Sequence, residues 1–167
     1  ADDVDVSGRK QVIWEQGGAS RGLSVYLHDG TLYAGGWNFP ESGWDGTFLS
    51  TDQVHSDTWH HVTLVLDGGS SVAGNSLRGY LDGELFGAGD GSQLWSHANP
   101  AGLGAANDAT VFHDGAVSGG GHGFAVMIDE VSIYDDRAFT GGEVRSLFEF
   151  GNPDDTPPAP RGGIEAT

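Results

Sequence analysis

The sequence predicts an all-β fold of antiparallel strands, finished by one short helix near the C-terminal end. Three observations carry that expectation. The first is the stretch from Thr58 to Leu85, where an aromatic and β-branched run, Trp59-His60-His61-Val62-Thr63-Leu64-Val65-Leu66, ends in Asp67-Gly68. After a polar loop, Leu77, Gly79 and Leu81 alternate with Arg78, Tyr80 and Asp82, and the run ends again in Asp82-Gly83. Asp-Gly after an alternating run marks a tight turn, because Gly accepts positive φ and Asp bonds its own backbone. The second is the alternation of Leu23, Val25 and Leu27, followed by Asp29-Gly30 and a further run from Leu32 to Trp37, the pattern of a hairpin. The third is the content of 29 glycines with no fixed period, which suits many turns between short strands rather than a collagen-like or low-complexity chain.

Taken in order, residues 1–10 read as a polar loop. Val12 to Gln16 reads as a strand with Val12 and Trp14 on one face and Ile13 and Glu15 on the other, broken by Gly17-Gly18. With the hairpin that follows, it makes a three-stranded meander. Asn38 to Gly46 is expected as a loop carrying Pro40, Trp44 and Asp45, and Thr47 to Ser50 as a short strand. The strands at Trp59 and Leu77 come next. Gly87 to Ser92 is expected as a turn, Leu94 to Pro100 as irregular, Gly102–Ala105 and Thr110–His113 as short strands, and Ala116 to Gly123 as a flexible loop. Phe124 to Tyr134 reads as the last long strand. Thr140-Gly141-Gly142-Glu143 has the spacing of a capping box ahead of Val144, Leu147 and Phe148, so a short helix starts there. Residues 1–150 are expected as one domain and 151–167, with Pro153, Pro157, Pro158 and Pro160, as a Pro-rich linker or tail.

Trp59-His60-His61-Val62, the strand, Asp-Gly, and the Leu-x-Gly-Tyr-Leu-Asp-Gly strand resemble laminin G-like domains of the concanavalin A-like lectin/glucanase superfamily. So do Trp14-Glu15-Gln16-Gly17-Gly18, Leu32 to Asn38, Gly102-Leu103-Gly104-Ala105, Phe112-His113-Asp114-Gly115 and Ile128-Asp129-Glu130-Val131-Ser132-Ile133-Tyr134. The resemblance implies a two-sheet antiparallel jelly-roll sandwich that binds at one rim or concave face. Its members bind sugars, bind proteins, or cleave polysaccharides. Such domains have one or more strands ahead of the Trp14 strand, whereas only a short polar stretch precedes it here. Either the chain is a processed or excised piece whose first strands lie in another polypeptide, or the sandwich is smaller. A missing first strand would leave the Phe124–Tyr134 strand with an open edge, which a second segment or subunit would complete.

Composition narrows the partners. The chain has 167 residues, long enough to bury a real core, and a net charge of −17 from 24 acids against 7 bases. That charge excludes nucleic acid and anionic membranes as natural partners, and fits calcium, basic partners or a salty habitat. There is no cysteine, which neither demands nor excludes an oxidising location. No apolar run approaches the length of a membrane span.

Several constellations could carry chemistry. Calcium asks for roughly six to eight oxygen ligands; Asp129 is the candidate metal ligand, because an unpaired carboxylate inside an apolar strand is costly to bury and related domains place a cation at this aspartate. His60 and His61 are neighbours on a strand and face opposite ways. His97, His113 and His122 fall in later loops and could converge, but lack the close spacing of a zinc pair. The glucanases of the superfamily carry a run of paired acids on one strand, and no such run occurs here; Asp129 and Glu130 point apart, and Glu15 is a lone strand acid. A lyase would draw on Tyr80, Arg78, His113 and Gln16. Sugar sites combine aromatic faces with Asn, Asp and His, which makes Trp37, Asn38, Trp44, Asp45, Trp95, His97, Asn107 and His113 the candidate ligand-binding residues. The sequence is thus expected to encode a non-catalytic, calcium-binding recognition module, extracellular or at the cell surface, with a glycan as ligand. The alternative is an assembly or adhesion module that docks another protein through a rim or open sheet edge; a lyase or hydrolase stands behind both.

Overall fold

The computed structural model describes Val4, residues 6–125 and residues 127–151; the Pro-rich tail beyond Gly151 lies outside the described residues. The protein is mostly β, with 47% of the described residues in strands and the sheets antiparallel. Among the described residues ten strands and two helices follow one another: β1 (Lys10–Gly17), β2 (Arg21–His28), β3 (Thr31–Asn38), the single turn α1 (Phe39–Ser42), β4 (Trp44–Thr51), β5 (Val62–Leu66), β6 (Ala73–Leu81), β7 (Glu84–Gly91), β8 (Gly102–Leu103), β9 (Ala106–Val111), β10 (Val117–Gly121) and α2 (Gly141–Gly151).

They form layers. A five-stranded sheet, ordered β4-β3-β2-β1-β8, faces a three-stranded sheet, ordered β5-β6-β7. Between them Val25, Leu27, Leu32, Ala34 and Leu81 make one apolar cluster and Trp44, Leu49 and Leu77 another. The outer face of the larger sheet is covered by the β9–β10 hairpin, where Tyr26 and Val12 meet Ala106 and Phe112. The outer face of the smaller sheet is covered by α2, where Val65 and Tyr80 meet Val144. The alternation read in β6 accounts for two of these contacts at once. Leu77 and Leu81 point into the sandwich, and Tyr80 on the opposite face is buried under α2.

The local signals placed the turns and the helix start. Asp29-Gly30 and Asp82-Gly83 both adopt left-handed pairs, φ 49° and 74°, then 51° and 78°, the turn whose twist suits a two-residue hairpin. Asp82 does more. Its carboxylate accepts the backbone N–H of His61 at 2.8 Å, and its other oxygen lies 2.8 Å from His60 Nδ1. At α2, Thr140 Oγ1 accepts the Glu143 N–H at 3.3 Å, and Glu143 Oε2 accepts the Thr140 N–H at 2.8 Å, the reciprocal pair of a capping box.

Other expectations are corrected. Ile13 sits in a bulge, since Val12 pairs with Tyr26 but Trp14 with Val25. The two faces are therefore exchanged midway, so Val12 joins the outer cluster while both Ile13 and Trp14 lean on the inner one. Trp44 and Asp45 open a strand rather than sit in a loop, residues 87–91 belong to β7 rather than a turn, and 117–121 form β10 rather than a flexible loop. Each of these gains a cross-strand ladder that its glycines hid. The segment 124–134 goes the other way: its described residues form no strand. Only Gly123 bridges Val12, in parallel, and Phe124 N–H reaches Gly104 carbonyl at 2.8 Å. A strand pattern without a hydrogen-bonding neighbour gains no ladder, and Glu130 turns the backbone to φ 50°.

Candidate functional site

A cleft of about 500 Å³ opens at one end of the five-stranded sheet, between the β1–β2 turn, the 96–99 loop and the start of β9. Its side chains are Ser20, Arg21, Ser96, His97, Asn99 and Asp108. The turn that forms one wall is fixed by its own bonds. Gly18 N–H donates to Arg21 carbonyl at 2.8 Å, and the buried Trp37 donates its indole N–H to Gly18 carbonyl at 2.9 Å. Gly18 packs closely on this wall, since a Cβ there would lie 3.1–3.3 Å from the Asn99 amide, which would have to shift by a few tenths of an ångström. Arg21 ties this wall to the next. Its guanidinium donates to Ser96 carbonyl at 3.1 Å and pairs with Glu41 at 2.6 Å. Asn99 in turn donates to Asp108 Oδ2 at 2.6 Å, and His97 Nδ1 lies 3.1 Å from Asn99 carbonyl.

Beneath this rim lies Glu15, with no exposed surface. The bulge at Ile13 turns it onto the outer face of the sheet, under the β8–β9 connection. Its Oε1 accepts the Asn107 N–H at 3.0 Å, while Oε2 has no hydrogen-bond partner. Burial raises its carboxyl above the ordinary 4.5, and the charge of Asp108 adds to the rise. A raised folded-state value means that the native protein holds the proton more tightly than the unfolded chain. Glu15 therefore supports stability at low pH, and that support is lost as pH rises from about 4.5 through its folded-state value. Glu15→Gln keeps the acceptor for Asn107 and cannot ionise. Melting curves taken between pH 4 and pH 8 should show the variant gaining on the native protein as pH rises; parallel curves would contradict this account of Glu15.

The residues singled out from sequence divide among four places. Trp95 stands 43% exposed beside Ser96, His97 lines the cleft, and Asn107 is exposed next to Asp108. Trp37, Asn38 and Trp44 are 0%, 0% and 2% exposed and belong to the interior. Asn38 donates to Gln93 carbonyl at 3.0 Å and Trp44 to Thr47 Oγ1 at 3.1 Å. Asp45 is exposed at the start of β4. His113 lies at the opposite end of the sheet, where its ring stacks on Tyr33 at 4.0 Å and it bonds the Tyr26 hydroxyl. Burial lowers its pKa. His122 meets Phe112 edge-on at 5.0 Å, so the three later histidines do not converge. Tyr80 and Arg78 face α2 and Phe139, away from His113.

Asp129 is exposed, and its carboxylate accepts the N–H of Glu130 at 2.8 Å. It is not the buried strand acid that the sequence pattern suggested. Among the described residues no group of three or more His, Cys, Asp or Glu side chains is placed to hold a metal ion.

Sequence reasoning missed Arg21, Asn99, Asp108 and the buried position of Glu15. Glu15 did carry a signal, as a lone acid in an apolar strand; the other three sit in polar stretches that look like any surface. A family profile described as Concanavalin A-like lectin/glucanases superfamily matches residues 3–145. No curated protein and no solved structure matches the chain.

Proposed function

Because the chain belongs to the Concanavalin A-like lectin/glucanases superfamily, we infer that it recognises a glycan in the cleft between the β1–β2 turn and the 96–99 loop. Domains of this kind are carbohydrate- or protein-binding modules and are typically extracellular. None of the described helices is long and apolar enough to cross a membrane. The reading is carried by one observation: Arg21 from the β1–β2 turn and His97, Asn99 and Asp108 from much later in the chain converge on one open cleft, and Trp95, 43% exposed, directly precedes Ser96 of its wall in the chain. A few convergent polar groups and an exposed aromatic side chain suit a sugar ring. The module works outside the cell and performs no chemistry on the sugar. Glu15, close enough to Asp108 to feel its charge, is sealed from the cleft by its burial. Calorimetric titration with oligosaccharides tests the reading. Trp95→Ala and Asn99→Ala should each weaken binding about tenfold, the loss of one stacking contact or hydrogen-bonding amide, with little change in melting temperature. Failure of every sugar to bind the native protein overturns it.

A second reading, docking of another polypeptide, has its own observation. Met127, Val131, Ile133 and Tyr134 are 50%, 49%, 64% and 51% exposed, and β5 has a strand partner, β6, on one edge alone among the described residues. Val62, Leu64, Ile13, Trp14 and Phe124, at the margin of the inner core, are only partly covered. An added strand would cover them and complete the ladder of β5. Light scattering at high concentration should show association that Ile133→Lys reduces; a stable native monomer would count against this reading.

A further inference from the structure

The cleft's hydrogen-bonding groups can be sorted by what they have left to offer. Among the described residues that line it Arg21 is the one lysine or arginine; its charge is already paired with Glu41 at 2.6 Å, and one N–H donates to Ser96 carbonyl at 3.1 Å. A ligand anion would have to compete with a carboxylate already in place. His97 faces a carbonyl through Nδ1. A carbonyl can only accept, so Nδ1 carries the hydrogen, the tautomer in which Nε2 is left as an acceptor. Asn99 spends one amide hydrogen on Asp108 Oδ2, which leaves its carbonyl oxygen free of that bond. Asp108 accepts only, and its second oxygen is uncommitted by that contact. Ser20 and Ser96 can serve either way. The guanidinium keeps further N–H donors for neutral hydroxyls, but among the described residues the charges at the cleft, Arg21, its partner Glu41 and Asp108, sum to one negative, on a chain of net charge −17.

We propose that the cleft takes sugars whose contacting groups are hydrogen-bond donors, neutral hexoses and amino sugars, and rejects uronates and sulfated sugars. The proposal rests on the glycan reading above and adds the chemical class. A hydroxyl donates to His97 Nε2, to the Asn99 carbonyl or to Asp108. A protonated amine on the sugar adds a charge-assisted bond to Asp108. A sulfate or carboxylate has to compete with Glu41 for the charge of Arg21 and meets the repulsion of Asp108 besides.

The test is an array of neutral, amino, uronate and sulfated glycans, followed by calorimetric titration of the best binder in each charge class. Neutral and amino sugars should bind and the anionic ones should not. At low salt an amino sugar should bind about fivefold tighter than its N-acetylated counterpart, the worth of one close charge pair in water. Asp108→Asn should erase that advantage, so that the amino sugar binds no tighter than its N-acetylated counterpart. Equal or tighter binding of anionic glycans overturns the proposal and leaves the glycan reading standing. An amino-sugar advantage that survives Asp108→Asn also overturns it. No binding in any class overturns the glycan reading itself.

Discussion

Replacing Trp37 by Ala should cost about 3–5 kcal/mol of folding stability, a large share of the roughly 5–15 kcal/mol that holds a domain together. Trp37 has no exposed surface. Its ring lies against Phe48 at 6.2 Å between centroids. It also fills the space over Gly22, where a Cβ would come within 2.7 Å of the indole. Its N–H holds the Gly18 carbonyl, so the β1–β2 turn loses an anchor together with the core. In a domain of this size each kcal/mol is worth about 2–4 °C, so the melting temperature should fall by about 10 °C. Trp95→Ala, at a 43% exposed position, should stay within about 0.5 kcal/mol of the native protein. Thermal melts of the two variants decide it. A Trp37→Ala protein that melts within two or three degrees of native would show that the ring is not an interior residue.

Gly102→Ala should be the second most damaging change, although it adds one methyl group. A Cβ at Gly102 would lie 2.7 Å from Glu15 Oε1 and 2.9 Å from Asn107 N, and closer still to the Ala105 carbonyl. The Glu15–Asn107 bond and the β8–β9 connection cannot both stay where they are. Overpacking of this kind costs about 1–3 kcal/mol, and a buried carboxylate stripped of its donor adds about 1–3 kcal/mol more. Gly119→Ala is the control, since a Cβ there meets nothing within 4 Å. Denaturant melts should separate the two by about 2 kcal/mol or more; equal midpoints would mean that Glu15 is not clamped under Gly102.

What could be read from the sequence was local. The Asp29-Gly30 and Asp82-Gly83 turns, the alternation of β6 and the Thr140–Glu143 capping box each depend on residues within a few positions of one another. All of them stand where the pattern put them. The cleft depends on contacts of another kind: Arg21 reaches Ser96 across 75 positions and Glu15 reaches Asn107 across 92. No short window contains either pair. Trp37 and Trp44 looked like ligand platforms because an aromatic at a strand end has the same signature whether it faces solvent or core. The bulge at Ile13 shifted Glu15 onto the covered face, and nothing in the run Val12–Gln16 announces a bulge. Phe124–Tyr134 shows the converse. Its apolar pattern is that of a strand, but a strand needs a neighbour, and pattern alone does not supply one.

The central claim, that the cleft is where a glycan binds, is tested most directly by titrating isotope-labelled protein with oligosaccharides and following the backbone amide resonances. The account predicts shifts that saturate and that are confined to Gly18–Arg21, Ser96–Asn99 and Asp108–Ala109, with the Trp95 indole moving alongside. Shifts centred instead on the exposed row of Met127, Val131, Ile133 and Tyr134, or no shift with any sugar, would contradict it.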